Sequence, residues 1–302
     1  MTIKQILRKF STQEQWDCLS RTKRKVLGSG AVLVTHLGRL LSASNQLEVR
    51  SRLQMTGRMD YEPVEILLYV DSPIEYQTRL HSCAKEPEMV QWIEGSFGKG
   101  EVFYDIGANV GAYSLLAAKS YGSDISVYAF EPAFTNFAQL CRNISLNQCQ
   151  DVMMPLQVGL SDTTSVVDFN YSHLDPGSGL HALGKPVDHL GEEFMPSMRL
   201  PVISYRLDDL MCQFGLPVPN HIKMDVDGVE FEILQGADNV LNNPQVKDLM
   251  IEGEDGSEVM EKIVALLRGK GFVLQEKFKY VLAGDTGKYS QTHNFLFCRE
   301  LQ

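Results

Sequence analysis

The sequence predicts an α/β fold with a mostly parallel sheet, and two observations predict it. From residue 102 onward, strand-like apolar runs alternate with helical ones: 102–106, a helix over about 110–120, 125–130, then a helix over 134–146. That rhythm is the signature of βαβ units. The first run also ends in a turn carrying Gly107 and Gly111, the strand–turn–helix arrangement of nucleotide-type sites.

The elements follow in order. Up to about residue 60 the chain reads as a helical extension: Ile3, Ile6, Leu7 and Phe10 recur at helical spacing, and Val32, Leu33, His36, Leu37, Leu40 and Leu41 form a second stripe. The basic run Arg21 to Lys25 lies just before that stripe; it reads as a solvated face, with peripheral membrane or partner contact as the alternative. A domain over 61–302 then opens with a short strand at 64–70 and a helix at 86–93. After the first two βα units come strands at 153–160 and 165–171. Between 172 and 197 lies a stretch with Pro176, Gly177, Gly179, Gly184, Pro186 and Pro196 and little periodicity, which predicts a lid at the ligand end of the sheet. Strands at 222–226, 246–251, 272–275 and 294–298 and helices at 229–234 and 258–267 complete the chain.

Composition bounds the function. The 302 residues are 44% hydrophobic and 22% charged, an ordinary globular balance, and the net charge is -10. So acidic a chain is poorly suited to neutralising phosphates, which argues against a nucleic-acid partner. Six cysteines are scattered without a C-x-x-C pair, and the N-terminus lacks a signal-peptide pattern; a cytoplasmic protein with no transmembrane segment is expected.

The chemistry is concentrated in four places. Val102-Phe-Tyr-Asp-Ile-Gly-Ala-Asn-Val-Gly is an apolar strand entering a glycine turn, but Asn109 stands where a dinucleotide fingerprint needs its second glycine. Asp105 before the turn suits an ammonium group, and N–H groups at the helix start suit a carboxylate. S-adenosylmethionine carries both. Glu131 ends the next strand 20 residues after Gly111, where a carboxylate accepts hydrogen bonds from ribose hydroxyls. Ser161 and Asp162 follow the third strand, where they either meet adenine or form an ordinary turn. His221-Ile-Lys-Met-Asp-Val-Asp-Gly-Val-Glu places Lys223, Asp225, Asp227 and Glu230 at the end of the fourth, facing the crevice of an open sheet.

The runs Tyr104-Asp-Ile-Gly-Ala-Asn-Val-Gly, Phe130-Glu-Pro and Ile222-Lys-Met-Asp-Val-Asp-Gly-Val-Glu-Phe-Glu-Ile-Leu-Gln-Gly-Ala together resemble the FkbM family of S-adenosylmethionine-dependent methyltransferases over about residues 85–299. The resemblance implies a Rossmann-like class I methyltransferase sheet of seven strands with the last antiparallel. It also implies O-methylation of a hydroxyl on a sugar, glycan or other small metabolite. Tyr104, Asp105, Gly107, Asn109, Gly111, Glu131, Pro132, Ser161, Asp162 and Asp225 become the expected cofactor-binding set.

For the reaction, Asp225 is the first candidate to hold or deprotonate an acceptor hydroxyl, with Lys223 assisting; His173 and His181 in the lid are runners-up. Asp225, Asp227, Glu252 and Asp255 form an acidic set, but no metal is expected, since carboxylates beside a cationic cofactor have other employment. Two other classes compete: a nicotinamide-dependent oxidoreductase, which needs the phosphate turn absent here, and a non-catalytic adenosine-ligand-binding protein.

Overall fold

The computed structural model describes residues 31–187, 192–279 and 291–300. The stripe at Ile3–Phe10, written 3–10 in the helical reading, the basic run at 21–25 and His189 lie outside the described residues. The chain divides into two compact units, Met1–Gln54 and Met55–Gln302.

In the first unit, residues 31–39 are helical, and α1 (Ala43–Arg52) follows, its first turn capped by the Ser42 hydroxyl, which accepts from the Asn45 N–H. The second unit opens with β1 (Thr56–Arg58), which pairs antiparallel with β2 (Leu67–Tyr69). The helical reading of the chain up to about residue 60 does not hold at 56–58. A short run of three residues is too brief to show its period, and β1 is a strand because β2 offers it a partner.

Three short helices then lead to the sheet: α2 (Pro73–Gln77), α3 (Ser82–Lys85) and α4 (Pro87–Ser96). The main sheet is built from β3 (Glu101–Ile106), α5 (Ala112–Tyr121), β4 (Ile125–Phe130), α6 (Phe134–Leu146) and β5 (Met153–Leu156). Next in the chain come β6 (Gly159–Leu160), β7 (Ser165–Tyr171), β8 (Ala182–Leu183), β9 (Met198–Tyr205) and α7 (Leu207–Phe214). The chain closes with β10 (His221–Met224), α8 (Glu230–Gln235), α9 (Asp238–Asn242), β11 (Asp248–Glu254), α10 (Glu258–Gly269), β12 (Phe272–Lys279) and β13 (Thr292–Arg299).

Seven strands order as β12-β13-β11-β10-β3-β4-β5. The pairs from β11 to β5 run parallel, and β13 runs antiparallel to both its neighbours. The fold is the Rossmann-like α/β sheet that the sequence predicts, with the last strand reversed. One predicted strand divides: 153–160 becomes β5 in the main sheet and β6 in a second, four-stranded sheet ordered β6-β9-β7-β8. The break falls at Gln157–Val158, where the Val158 N–H turns back to Leu156 O at 3.0 Å.

The parallel strands are covered on both faces, so their side chains alternate between two cores. Phe103, Val127 and Ala129 face one core with Trp92, Leu115 and Leu116. Tyr104, Ile106, Phe130, Ile222 and Met224 face the other with Ile233, Leu234, Ile263 and Leu267. The same alternation sends Asp105 to the first face, beside its register neighbour Lys223.

Candidate functional site

At the carboxyl ends of β3, β4 and β10 the structure holds a cavity of about 430 Å³, within the range of small-molecule sites. Gly107, the first of the turn's two glycines, shapes its floor. Gly107 has φ +78°, and a Cβ there would lie 1.8 Å from the Asp225 carbonyl oxygen, so only glycine lets the turn pass beneath β10's end. Gly111, at φ +88°, meets Leu140 instead. It packs helix against helix and does not line the cavity.

Of the expected cofactor set, Gly107, Asn109, Glu131, Pro132 and Asp225 line the cavity. Glu131 is buried, and its two carboxylate oxygens accept from the Asn109 and Ala133 N–H groups, each at 2.8 Å. Burial lifts its carboxyl to about 7, against the pull of those two donors. Asn109, held at φ +53°, caps its own turn through Oδ1 and donates through Nδ2 to Ser178 O at 2.9 Å. The loop N–H groups are thus largely committed: Gly107 and Ala108 donate to Phe130 O, and Gly111 donates to Ala108 O. A carboxylate bound on this turn's N–H groups, as the sequence suggested, would find few of them unpaired.

The other expected residues sit elsewhere. Tyr104 points to the second core, between Tyr128 and Phe130, with its hydroxyl on Pro217 O at 2.7 Å. Asp105 lies on the opposite face, accepting from Ser114 Oγ at 2.6 Å and pairing with Lys223 Nζ at 3.2 Å. Ser161 and Asp162 form a hydrogen-bonded turn with Thr163, outside the lining. The strand break at Val158 moves them away, and Val158, Gly159 and Leu160 line the wall in their place. With Phe130, Phe169 and Leu183 these make an apolar slot that suits a flat heterocycle.

The opposite wall is acidic. Asp225, Asp227 and Glu252 line it, with Glu230 buried behind. Lys223 does not reach the cavity; it is fully buried between Asp105 and Asp225, whose Oδ2 lies 3.4 Å from its Nζ. Burial opposes the lysine's charge, yet the two carboxylates outweigh it and hold the ammonium above the ordinary lysine range. Burial likewise opposes ionisation of Asp225, but Lys223, Lys85 and Arg79 together keep it below the usual carboxylate range. Asp227 differs. Burial, then the Asp225 charge, raises it to about 7, and its backbone is left-handed at φ +56°, where Oδ2 accepts the Leu180 N–H at 2.7 Å. Glu252 is driven well above its ordinary value by burial and by Asp225. Asp255 stands apart, paired with Lys277 at 2.8 Å. Among the described residues, no group of three His, Cys, Asp or Glu has metal-holding geometry.

One contribution was not legible in the sequence. Arg79 and Lys85 enter the cavity from the segment before the sheet. Glu75 fixes that segment through a capping box with Ser72, and Arg79 donates to Gly177 O through Nε and Nη2 at 3.0 and 2.7 Å. The lid stretch, by contrast, is expected from the breakers at 172–197, with His173 and His181 as its candidates. Residues 176–181 are tied down by Ser72, Arg79, Asn109, Asn136 and Asp227. They bring His181 to the wall, while His173 also lines it. His181 Nδ1 accepts from the Ser172 N–H at 3.2 Å, which leaves the proton of the neutral ring on Nε2. That Nε2 is buried without a partner, and burial, with His173 and Arg79 nearby, lowers the ring to about 4. His181 is therefore a neutral donor at neutral pH.

Residues 105–274 match the methyltransferase FkbM domain. The chain belongs to the FkbM methyltransferase family. It is 29% identical over 190 residues to methyltransferase sdnD of Sordaria araneosa, covering 56% of this chain and 72% of that one. It is 27% identical over 203 residues to the 31-O-demethyl-FK506 methyltransferase FkbM of Streptomyces tacrolimicus, covering 61% and 77%. With the hexuronic acid methyltransferase AglP of Haloferax volcanii it shares 26% over 170 residues, covering 56% and 64%. Among solved structures it is similar to M. jannaschii TYW2 in complex with AdoMet, at a TM-score of 0.42 and 14% identity over 82% of this chain and 88% of that one.

Membership makes the chain a methyltransferase and supports S-adenosylmethionine as its cofactor. The cavity of this FkbM protein fits that group chemically. It offers an apolar slot, a buried carboxylate at Glu131 for hydroxyls, acids beside a cationic centre and Arg79 with Lys85 for a carboxylate. No helix among the described residues is long and apolar enough to cross a membrane.

Proposed function

We propose that the protein methylates a hydroxyl oxygen of a sugar, glycan or other small metabolite, taking the methyl group from S-adenosylmethionine in the cavity described above. The observation that carries this reading is the joining, in one cavity, of Glu131 with an acidic wall whose members differ in ionisation. When bound, S-adenosylmethionine supplies a methyl group activated on a sulfonium.

The chain's residues then divide the work. The apolar slot and Glu131 hold the adenosine half. Asp225, ionised and fixed by Lys223 from behind, holds the acceptor hydroxyl in line, and alignment of this kind supplies much of the rate of a displacement. Asp227 takes the proton: its carboxyl, raised to about 7, is better matched to base work at neutral pH than a carboxylate held low. His181 Nε2–H donates to a ligand oxygen, which would satisfy the buried donor. Arg79 and Lys85 favour an acceptor or cofactor group that carries negative charge.

Relatives support a small oxygen-rich acceptor, since one is a hexuronic acid methyltransferase and another acts on 31-O-demethyl-FK506. The test is transfer of labelled methyl to a panel of neutral and acidic sugars, followed by mild alkali. An alkali-stable methyl ether supports the reading. Product that is an alkali-labile methyl ester, formed on a carboxylate, overturns the hydroxyl as acceptor.

A further inference from the structure

Charge is divided unevenly along this chain. The first unit, residues 1–54, holds ten Lys and Arg against three Asp and Glu, a net +7. The remaining 248 residues therefore carry -17. Segregation of this size is a statement about partners, because it leaves one part of the protein attracted to an anionic surface and the rest repelled by it.

The same basic unit exposes its apolar side chains. In and just after the helical stretch 31–39, Val32, Leu33, Leu37 and Leu40 are 57%, 60%, 56% and 82% exposed, and Leu41 is 39% exposed. With Val34, 60% exposed, they leave this short stretch rich in aliphatic side chains that face solvent. In α1 and its C-cap, Leu47 and Leu53 are 65% and 69% exposed, beside Arg50 and Arg52 in the last turn. No residue of α1 is buried. Soluble monomers seldom present apolar side chains in such contiguous groups without an interaction to serve.

We propose that the N-terminal unit docks on an anionic lipid bilayer, with the aliphatic side chains of residues 32–41 in the headgroup boundary and Arg39, Arg50 and Arg52 on the lipid charges. The stretch is too short to span and too apolar for water, which is the condition of an interfacial segment. Two other occupants fit less well. A second copy docking through its own basic unit would bring +7 against +7. Single-stranded nucleic acid is held by aromatic platforms between cations, and residues 31–54 contain no Phe, Tyr or Trp. The acidic remainder of the chain would be held off the same surface, so docking would be oriented.

The full-length protein should be sedimented with vesicles of phosphatidylcholine alone and with phosphatidylglycerol added, over a series of salt concentrations. The proposal expects roughly tenfold or greater preference for the anionic vesicles, weakening as salt rises. Reversing Arg39, Arg50 and Arg52 to Glu should reduce binding by about fivefold or more for each charge removed. Replacing Leu33, Leu37 and Leu40 by Ser should also abolish it with the charge intact, while calorimetric binding of S-adenosylhomocysteine stays unchanged in both variants. Equal binding to neutral vesicles, no binding to either, or retained binding in the Ser variant overturns the proposal. So does concentration-dependent self-association in sedimentation velocity that the Ser variant loses, or tighter binding to a single-stranded RNA probe than to the vesicles.

Discussion

The two ends of the main sheet use the same kinds of residue to opposite effect. At the amino ends of the strands, His221 is fully buried and bridges Glu101 and Asp248, each at 2.7 Å, while Trp92 Nε1 donates to Asp248 and Lys247 pairs with Glu101. Phe97 stacks on the imidazole at 4.1 Å. Each of these charges is answered by a partner within the protein. At the carboxyl ends, carboxylates outnumber cations around an open cavity, and three of them, Glu131, Asp227 and Glu230, are raised to about 7. A closed polar network secures the fold; an open, unbalanced one stores the means to bind and react.

Substitutions should separate the two ends. Asp225→Asn removes the ionised partner of Lys223 at the open end, and turnover should fall by about 10²–10⁴ while S-adenosylhomocysteine affinity changes by less than about threefold; unchanged turnover would remove Asp225 from the reaction. His221→Phe leaves two buried carboxylates facing each other at the closed end. Urea unfolding should show a loss of about 3–5 kcal/mol with kcat per folded molecule unchanged. A fall in kcat without loss of stability would erase the contrast.

The pH dependence sharpens it further. If Asp227 takes the proton, it must be ionised to work, so log kcat/KM should rise with a slope near one up to about pH 7 and level off above. In Asp227→Asn that rise should vanish along with most of the rate. Stability has the opposite sign. The raised carboxyls bind more protons folded than unfolded between about pH 4.5 and 7, so they stabilise fully at low pH and that contribution is lost as pH rises through 7. His181, lowered to about 4, opposes them between pH 4 and 6.5. The unfolding midpoint of the ligand-free protein should therefore decline modestly from pH 6.5 to 8; a rise across that window contradicts the assignments.

How much of this was legible in the sequence depended on distance along the chain. Gly107, Asn109 and Glu131 follow from local spacing, since a strand, its turn and the next strand's end are close in sequence and in space. Asp225 follows from a strand end for the same reason. Tyr104 and Asp105 belong to the motif, but strand alternation turns them into the two cores on either side of the sheet. Ser161 and Asp162 were displaced by a break of two residues that no periodicity announces. Arg79 and Lys85 are brought to the cavity by a segment that a capping box fixes. Each is distant in sequence from the glycine turn, and nothing local marks it.

The central claim is that the cavity at the carboxyl ends of β3, β4 and β10 is the cofactor site. Calorimetric titration of the full-length protein with S-adenosylhomocysteine tests it most directly, with NAD as a control ligand and Glu131→Ala as the variant. The account predicts saturable binding, weakened by about tenfold or more in Glu131→Ala, as expected for a lost hydrogen bond to a charged group, and none for NAD. Absence of binding, or full affinity in the variant, would contradict it.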